Sequence, residues 1–204
     1  MAEIDLDTLL EMCGNLDTND KASKSFRLYI SNPKQVTNLD LEKWLMKCCE
    51  SSERNYAYAF QDLVNEIGER LGFKVEFGPY RGMPGKTGFD GIWTSEESGS
   101  KIVVESKKSN TYSVDPQKLY EYMETMANQR GWTIKDMNGL YVYGEKPGTI
   151  VDTIRGSDHR SVIRVTSFED LFTLLKLKED TGLDHLNIAK FLIPLDTVNI
   201  GELD

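Results

Sequence analysis

The stretch Gly88–Lys108, GFDGIWTSEESGSKIVVESKK, constrains the fold more than any other. Two runs of β-branched and aromatic residues, Phe89–Trp93 and Lys101–Lys107, flank a polar segment punctuated by Ser and Gly, the pattern of two strands joined by a turn. Centring the hairpin between Glu97 and Ser98 pairs Trp93 with Ile102, Ile92 with Val103, and Asp90 with Glu105. Directly opposed side chains in an antiparallel pair lie about 5 Å apart at Cβ. Alternation along the second strand puts Glu105 and Lys107 on one face. Two carboxylates at that spacing repel each other, and a divalent cation between them turns the repulsion into binding. The run Ile102-Val103-Val104 reads as a strand buried on both faces, where a following charged pair is expensive without a function. At an exposed position the same Glu105–Lys107 pair would be an ordinary ion pair worth less than about 1 kcal/mol.

The elements around the hairpin follow from periodicity and caps. Ile4–Met12 and Lys21–Ile30 read as helices, the second stopped by Asn32-Pro33. Thr37-Asn38-Leu39-Asp40 resembles a capping arrangement for a helix from about Leu39 to Glu50. These segments are expected to form a helical cap over a sheet. A longer helix from Arg54 to Leu71 carries Phe60, Leu63, Val64, Ile67 and Leu71 at helical spacing and ends at Gly72. Its Asp62, Glu66 and Glu69 fall away from that stripe and read as a solvated face, whereas Gln61 flanks the stripe, within reach of a site on the sheet. Phe73–Phe77 reads as a strand. The loop Tyr80–Thr87 contains glycines, Arg81 and Lys86. Its glycine spacing is not that of a P-loop, but its two cations make it a candidate phosphate contact. After the hairpin, Asp115-Pro116 opens a helix, Gly139–Gly144 and Val162–Val165 read as strands, and Val151–Ile154 as a short helical turn. Ser167 and Asp184 open the last two helices, and the final residues read as a tail. Arg155 and Arg160, near His159 and Arg164, form a second candidate phosphate-contact cluster. Lys108 points away from Lys107 and reads as solvated; Tyr112 is a candidate for packing over the site.

Composition narrows the class. The chain has 204 residues, 39% of them hydrophobic, enough for one α/β domain with a core. No apolar run approaches the roughly 20 residues that span a bilayer, and the acidic N-terminus is unlike a signal peptide; a cytoplasmic location without membrane contact is expected. Cys13, Cys48 and Cys49 give neither a disulfide framework nor paired zinc ligands. The net charge of −9 disfavours a general affinity for phosphate backbones, so nucleic-acid binding would depend on local basic clusters.

Asp90, then fourteen residues, then Glu105-Ser106-Lys107, with Phe89-Asp90-Gly91 on one strand and Val103-Val104-Glu105-Ser106-Lys107 on the next, resembles the PD-(D/E)xK nuclease superfamily. The helix ending Leu71-Gly72-Phe73-Lys74-Val75 is similar to the one that precedes this hairpin in many members. Phe89 stands where the name-giving proline would be. Gln61 stands where many relatives have a glutamate, so it is a candidate member of the site that adds no charge. The resemblance implies a restriction-endonuclease-like α/β core of order α-β-β-β-α-β, a mixed central sheet flanked by helices. Residues 53–204 would form that domain, and residues 1–52 an N-terminal helical extension packed on it. It further implies Asp90, Glu105 and Lys107 as catalytic residues. Asp90, Glu105 and the Ser106 carbonyl would hold Mg²⁺, with Mn²⁺ as a substitute. The implied function is a metal-dependent endonuclease acting on DNA in restriction or defence, as a homodimer or with a partner subunit. Two alternatives stand beside it: a non-catalytic nucleic-acid-binding or assembly subunit of the same fold, and an RNA-directed or repair nuclease.

Overall fold

Capping side chains set most helix starts. In the computed structural model, which describes residues 4–17, 20–81, 88–109, 114–145 and 149–193, Asp5 caps α1 (Leu6–Cys13), and α2 (Asp20–Ile30) follows. Thr37 and Asp40 form a reciprocal capping box at the start of α3 (Asn38–Glu50). Helix α4 (Arg54–Leu71) ends at Gly72, whose φ of 103° is a left-handed conformation that suits glycine. Strands β1 (Lys74–Phe77), β2 (Gly91–Thr94) and β3 (Lys101–Lys107) follow. Asp115 caps α5 (Pro116–Arg130), with proline where no donor is needed. A single 3₁₀ turn leads into β4 (Met137–Tyr143), then α6 (Ile150–Arg155), β5 (Ile163–Ser167), α7 (Phe168–Thr181) and α8 (His185–Leu192).

The strands form one mixed sheet in the order β1-β2-β3-β4-β5, flanked by helices. β1, β2 and β3 are successively antiparallel; β4 and β5 run parallel to β3. Ile92 pairs with Val103 and Trp93 with Ile102, the register read from the sequence. Alternation along β3 divides the core in two. Ile102 and Val104 join α1–α4, α7 and α8 on one face; Val103 joins Ile92, Tyr141, Ile163 and the inner sides of α5 and α6 on the other. All three of these β3 side chains are fully buried.

Three expectations are corrected. Asp62 and Glu66 do not form a solvated face: they are 0% and 3% exposed. Helix α4 is covered on the face opposite its apolar stripe as well, and the carboxylates meet cations there. Arg27 of α2 bonds Asp62 at 2.9 Å, and Arg70 bonds Glu66 at 2.8 Å. Arg70 also donates to the carbonyls of Ile30 and Val36, tying α4 to the segment before α3. Glu69 is exposed, as expected. Lys108 is buried, and its ammonium donates to the carbonyls of Cys48 and Ser51 at the end of α3. Each charge is tolerated inside because it is partnered. The first strand of the hairpin also starts two residues later than expected, which leaves Asp90 just ahead of β2. Lys86 and Tyr112 lie outside the described residues, as does the tail after Ile193.

Candidate active site

The end of β3 and the residue before β2 bring four of the sequence-derived candidates together, Asp90, Glu105, Ser106 and Lys107. The Asp90 N–H donates to Val104 C=O at 3.0 Å, which continues the antiparallel ladder one residue beyond β2. One carboxylate oxygen of Asp90, Oδ2, accepts from the Ser106 N–H at 2.6 Å and from the Ser106 hydroxyl at 2.8 Å. Ser106 thus reaches Asp90 through its amide and side chain. Two residues along β3 from each other, Glu105 and Lys107 share a face, with Lys107 Nζ 2.9 Å from Glu105 Oε2. Their side chains are 15% and 27% exposed.

Burial dominates the electrostatics. It raises the Asp90 carboxyl above its ordinary range, although the Lys107 charge and the two Ser106 hydrogen bonds oppose the change. Glu105 is pushed up to about 7, first by burial and then by the Asp90 charge, against the attraction of Lys107. Two buried carboxylates, one of them raised in part by the charge of the other, are an oxygen donor set short of positive charge.

The face that Glu105 and Lys107 share opens into a cleft of about 250 Å³, also lined by Asp115, Lys118, Tyr122 and Tyr141. The Tyr141 hydroxyl donates to the Asp115 carbonyl at 3.0 Å, which fixes the start of α5 beside the strand end. Lys118 adds a positive charge that acts on Glu105. A larger cleft of about 650 Å³ lies between α4 and α7, away from Asp90 and Glu105. Its charged lining is Glu66, Glu69, Arg70, Lys178 and Glu179, and the smaller cleft is the one onto which Glu105 and Lys107 open.

Gln61 arrives from α4 behind Asp90, its side-chain amide donating to the carbonyls of Gly78 at 3.3 Å and Asp90 at 3.1 Å. Asn65 was not singled out from the sequence, yet it is fully buried and donates to the same Asp90 carbonyl at 2.8 Å. Its signal was present: Gln61, Asn65 and Gly68 lie at i, i+4 and i+7, a polar and small stripe on a helix otherwise read by its apolar face.

The candidate phosphate contacts are dispersed. Arg81 is exposed and bonds Asp17 at 2.6 Å. Arg155 on α6 and Arg160 ahead of β5 are exposed. His159 instead stacks on Tyr120, with ring centroids 4.2 Å apart, and Arg164 donates to the Phe191 carbonyl at 2.5 Å.

The mixed five-stranded sheet flanked by helices, with charged side chains gathered where β3 ends, defines the class of the molecule as an α/β protein. Among solved structures, this chain is similar to the restriction endonuclease FokI bound to DNA, with 13% identity and a TM-score of 0.42. The match covers 93% of this chain and 33% of that one. No protein-family model matches the chain. A search of curated proteins also gives no match. Any chemistry must therefore be read from the residues themselves. Among the described residues, no helix is long and apolar enough to cross a membrane.

Proposed function

We propose that the protein is a metal-dependent endonuclease that hydrolyses phosphodiester bonds of DNA, with Asp90, Glu105 and Lys107 as its catalytic residues. The observation that carries this reading is the burial of two mutually repelling carboxylates at adjoining strand ends, beside a lysine and an open cleft. A carboxyl pushed up to about 7 by burial and by a neighbouring acid, facing a cleft beside a lysine, is the pattern of a functional site.

The donor set fits a hard cation. Among the described residues there is no cluster of three or more His, Cys, Asp and Glu side chains suited to a metal. That disfavours a site built wholly from protein side chains. Mg²⁺ commonly takes one or two carboxylates, keeps several waters and uses substrate phosphate for the rest. Asp90 and Glu105 would hold it, with the Ser106 carbonyl as a further oxygen and Mn²⁺ as a substitute. When bound, the cation supplies charge neutralisation at phosphorus and a more acidic water. The chain's own residues do the remainder. Ser106 holds the Asp90 carboxylate from behind through two hydrogen bonds. Lys107, tethered to Glu105, would orient the attacking water or meet the charge that develops on the phosphoryl oxygens. Lys118 at the cleft wall would draw phosphate inward, and Arg155 and Arg160 are the exposed cations for more distant phosphates.

Incubation of plasmid, linear and single-stranded DNA, and RNA, with Mg²⁺, Mn²⁺ or EDTA tests the reading. Metal-dependent cleavage of DNA that is lost in Asp90→Ala and Lys107→Ala is the expected result. Cleavage that survives both substitutions would show that the site is misassigned. Cleavage confined to RNA would move the substrate class. No cleavage of any substrate, with DNA still retained, would favour a non-catalytic binding or assembly subunit.

A further inference from the structure

We propose that Asn65, assisted by Gln61, is a positioning residue for Asp90; this rests on the reading of Asp90 as a site carboxylate. Three donors converge on the Asp90 carbonyl: the Asn65 side-chain amide at 2.8 Å, the Gln61 amide at 3.1 Å and the Gly78 N–H at 2.9 Å. A carbonyl has two lone pairs, so three donors leave that peptide unit little freedom to rotate. Asp90 lies outside the regular strand, and its carboxylate inherits its place from this main-chain anchor.

The orientation of Asn65 is fixed at its other end. Its oxygen accepts from the Trp93 indole N–H at 2.9 Å. An indole can only donate, so the Asn65 amide nitrogen must face Asp90. Asn65 therefore bridges the residue before β2 and the third residue of β2, spanning Gly91. A Cβ added at Gly91 would lie 1.9 Å from the Asn65 oxygen. Glycine at 91 is what lets the bridge lie flat against the strand. Neither a carboxylate nor an aliphatic group could do both jobs. Asp at 65 would accept from Trp93 but set an acceptor against the Asp90 carbonyl; Leu would leave the buried indole donor unpaired.

The test compares wild type, Asn65→Asp, Asn65→Leu and Gln61→Leu in the full chain, with two readouts. The first needs neither metal nor activity: amide hydrogen exchange at Ser106, whose N–H is held by the Asp90 carboxylate, referenced to Val103 and Leu140 in the same sheet. Faster exchange at Ser106, by about 10-fold, with Val103 and Leu140 unchanged is expected in Asn65→Asp. A smaller effect in the same direction is expected in Gln61→Leu, which keeps the partner of Trp93 and covers the case of an unfolded Asn65 variant. The second is Mn²⁺ binding by calorimetry, expected to weaken about 10-fold to 100-fold, as when groups that orient a ligand are lost. Unchanged Ser106 exchange in the folded variants would overturn the proposal. If wild type binds no Mn²⁺ and cleaves nothing, the nuclease reading fails, and Ser106 exchange still decides the role of Asn65.

Discussion

Glu66 is 3% exposed, and burial pushes its carboxyl up to about 7 from an ordinary 4.5. Between those values the folded chain binds more protons there than the unfolded chain. Stability must therefore fall as pH rises through this window, the reverse of the usual salt-bridged carboxylate. Asp62, raised to about 6, acts in the same direction. In Glu66→Gln the loss of stability between about pH 5 and pH 7.5 should be smaller than in wild type, as read by urea denaturation at both values. Asp62 sits at a different kind of junction. It accepts from Arg27 and from the Tyr80 hydroxyl, and Arg27 lies over the rings of Phe77 and Tyr80. Asp62→Ala would leave that guanidinium without its carboxylate, and the expected cost is about 3 kcal/mol in the same denaturation experiment. Neither role was legible from helical phase. Phase reports which residues share a face, and a one-sided apolar stripe implies one covered side. That Arg27 would arrive from 35 residues upstream to cover the other side is a tertiary fact.

At the scale of elements, the hairpin and the span of the helix behind it were legible, and the polar contacts between them were not. β-Branched runs and a central turn gave the pairs Ile92–Val103 and Trp93–Ile102, because a one-residue slip would have turned an apolar face outward. The start of β2 was placed two residues early because Asp90 and Phe89 look like strand residues; the side-chain amides of α4 that share the Asp90 carbonyl are invisible to a local pattern. The α4–β2 contact is also tight. A Cβ at Gly68 would lie 2.4 Å from the Trp93 ring. Gly68→Ala should therefore destabilise the protein by about 1–3 kcal/mol through overpacking, although alanine is the better helix former by up to about 1 kcal/mol. Thermal unfolding monitored at the tryptophans would measure it. An unchanged or higher midpoint would mean that helix and strand can separate without loss. At the start of α3, Thr37→Ala removes one half of the capping box and should cost about 1 kcal/mol in the same assay.

For the whole molecule, charge sets the terms of any encounter with nucleic acid. A chain with net charge −9 gains nothing from a general field around DNA, so binding must come from a few well-placed cations. If Arg155 and Arg160 are among them, replacing either by alanine should weaken binding similarly for all sequences. It should also reduce the slope of log affinity against log salt by about one per residue. A fluorescence-anisotropy titration over a salt series reads both effects. An unchanged slope in both variants would remove α6 and the following loop from the interface. Cutting two strands by a homodimer predicts a scattering mass on DNA that exceeds the mass of the DNA by two chains of 23.2 kDa; an excess of one chain with intact double-strand cleavage would refute it.

Lys108 gives the N-terminal helices a meaning that their order in the chain conceals. The residue after Lys107 sends its ammonium into the carbonyls that end α3, so the strand bearing the proposed lysine is moored to a helix nearly sixty residues earlier. A transplant of residues 53–204 alone into another protein would carry the motif and lose its mooring. An engineer seeking the smallest portable version of this site should cut ahead of α3, not behind it.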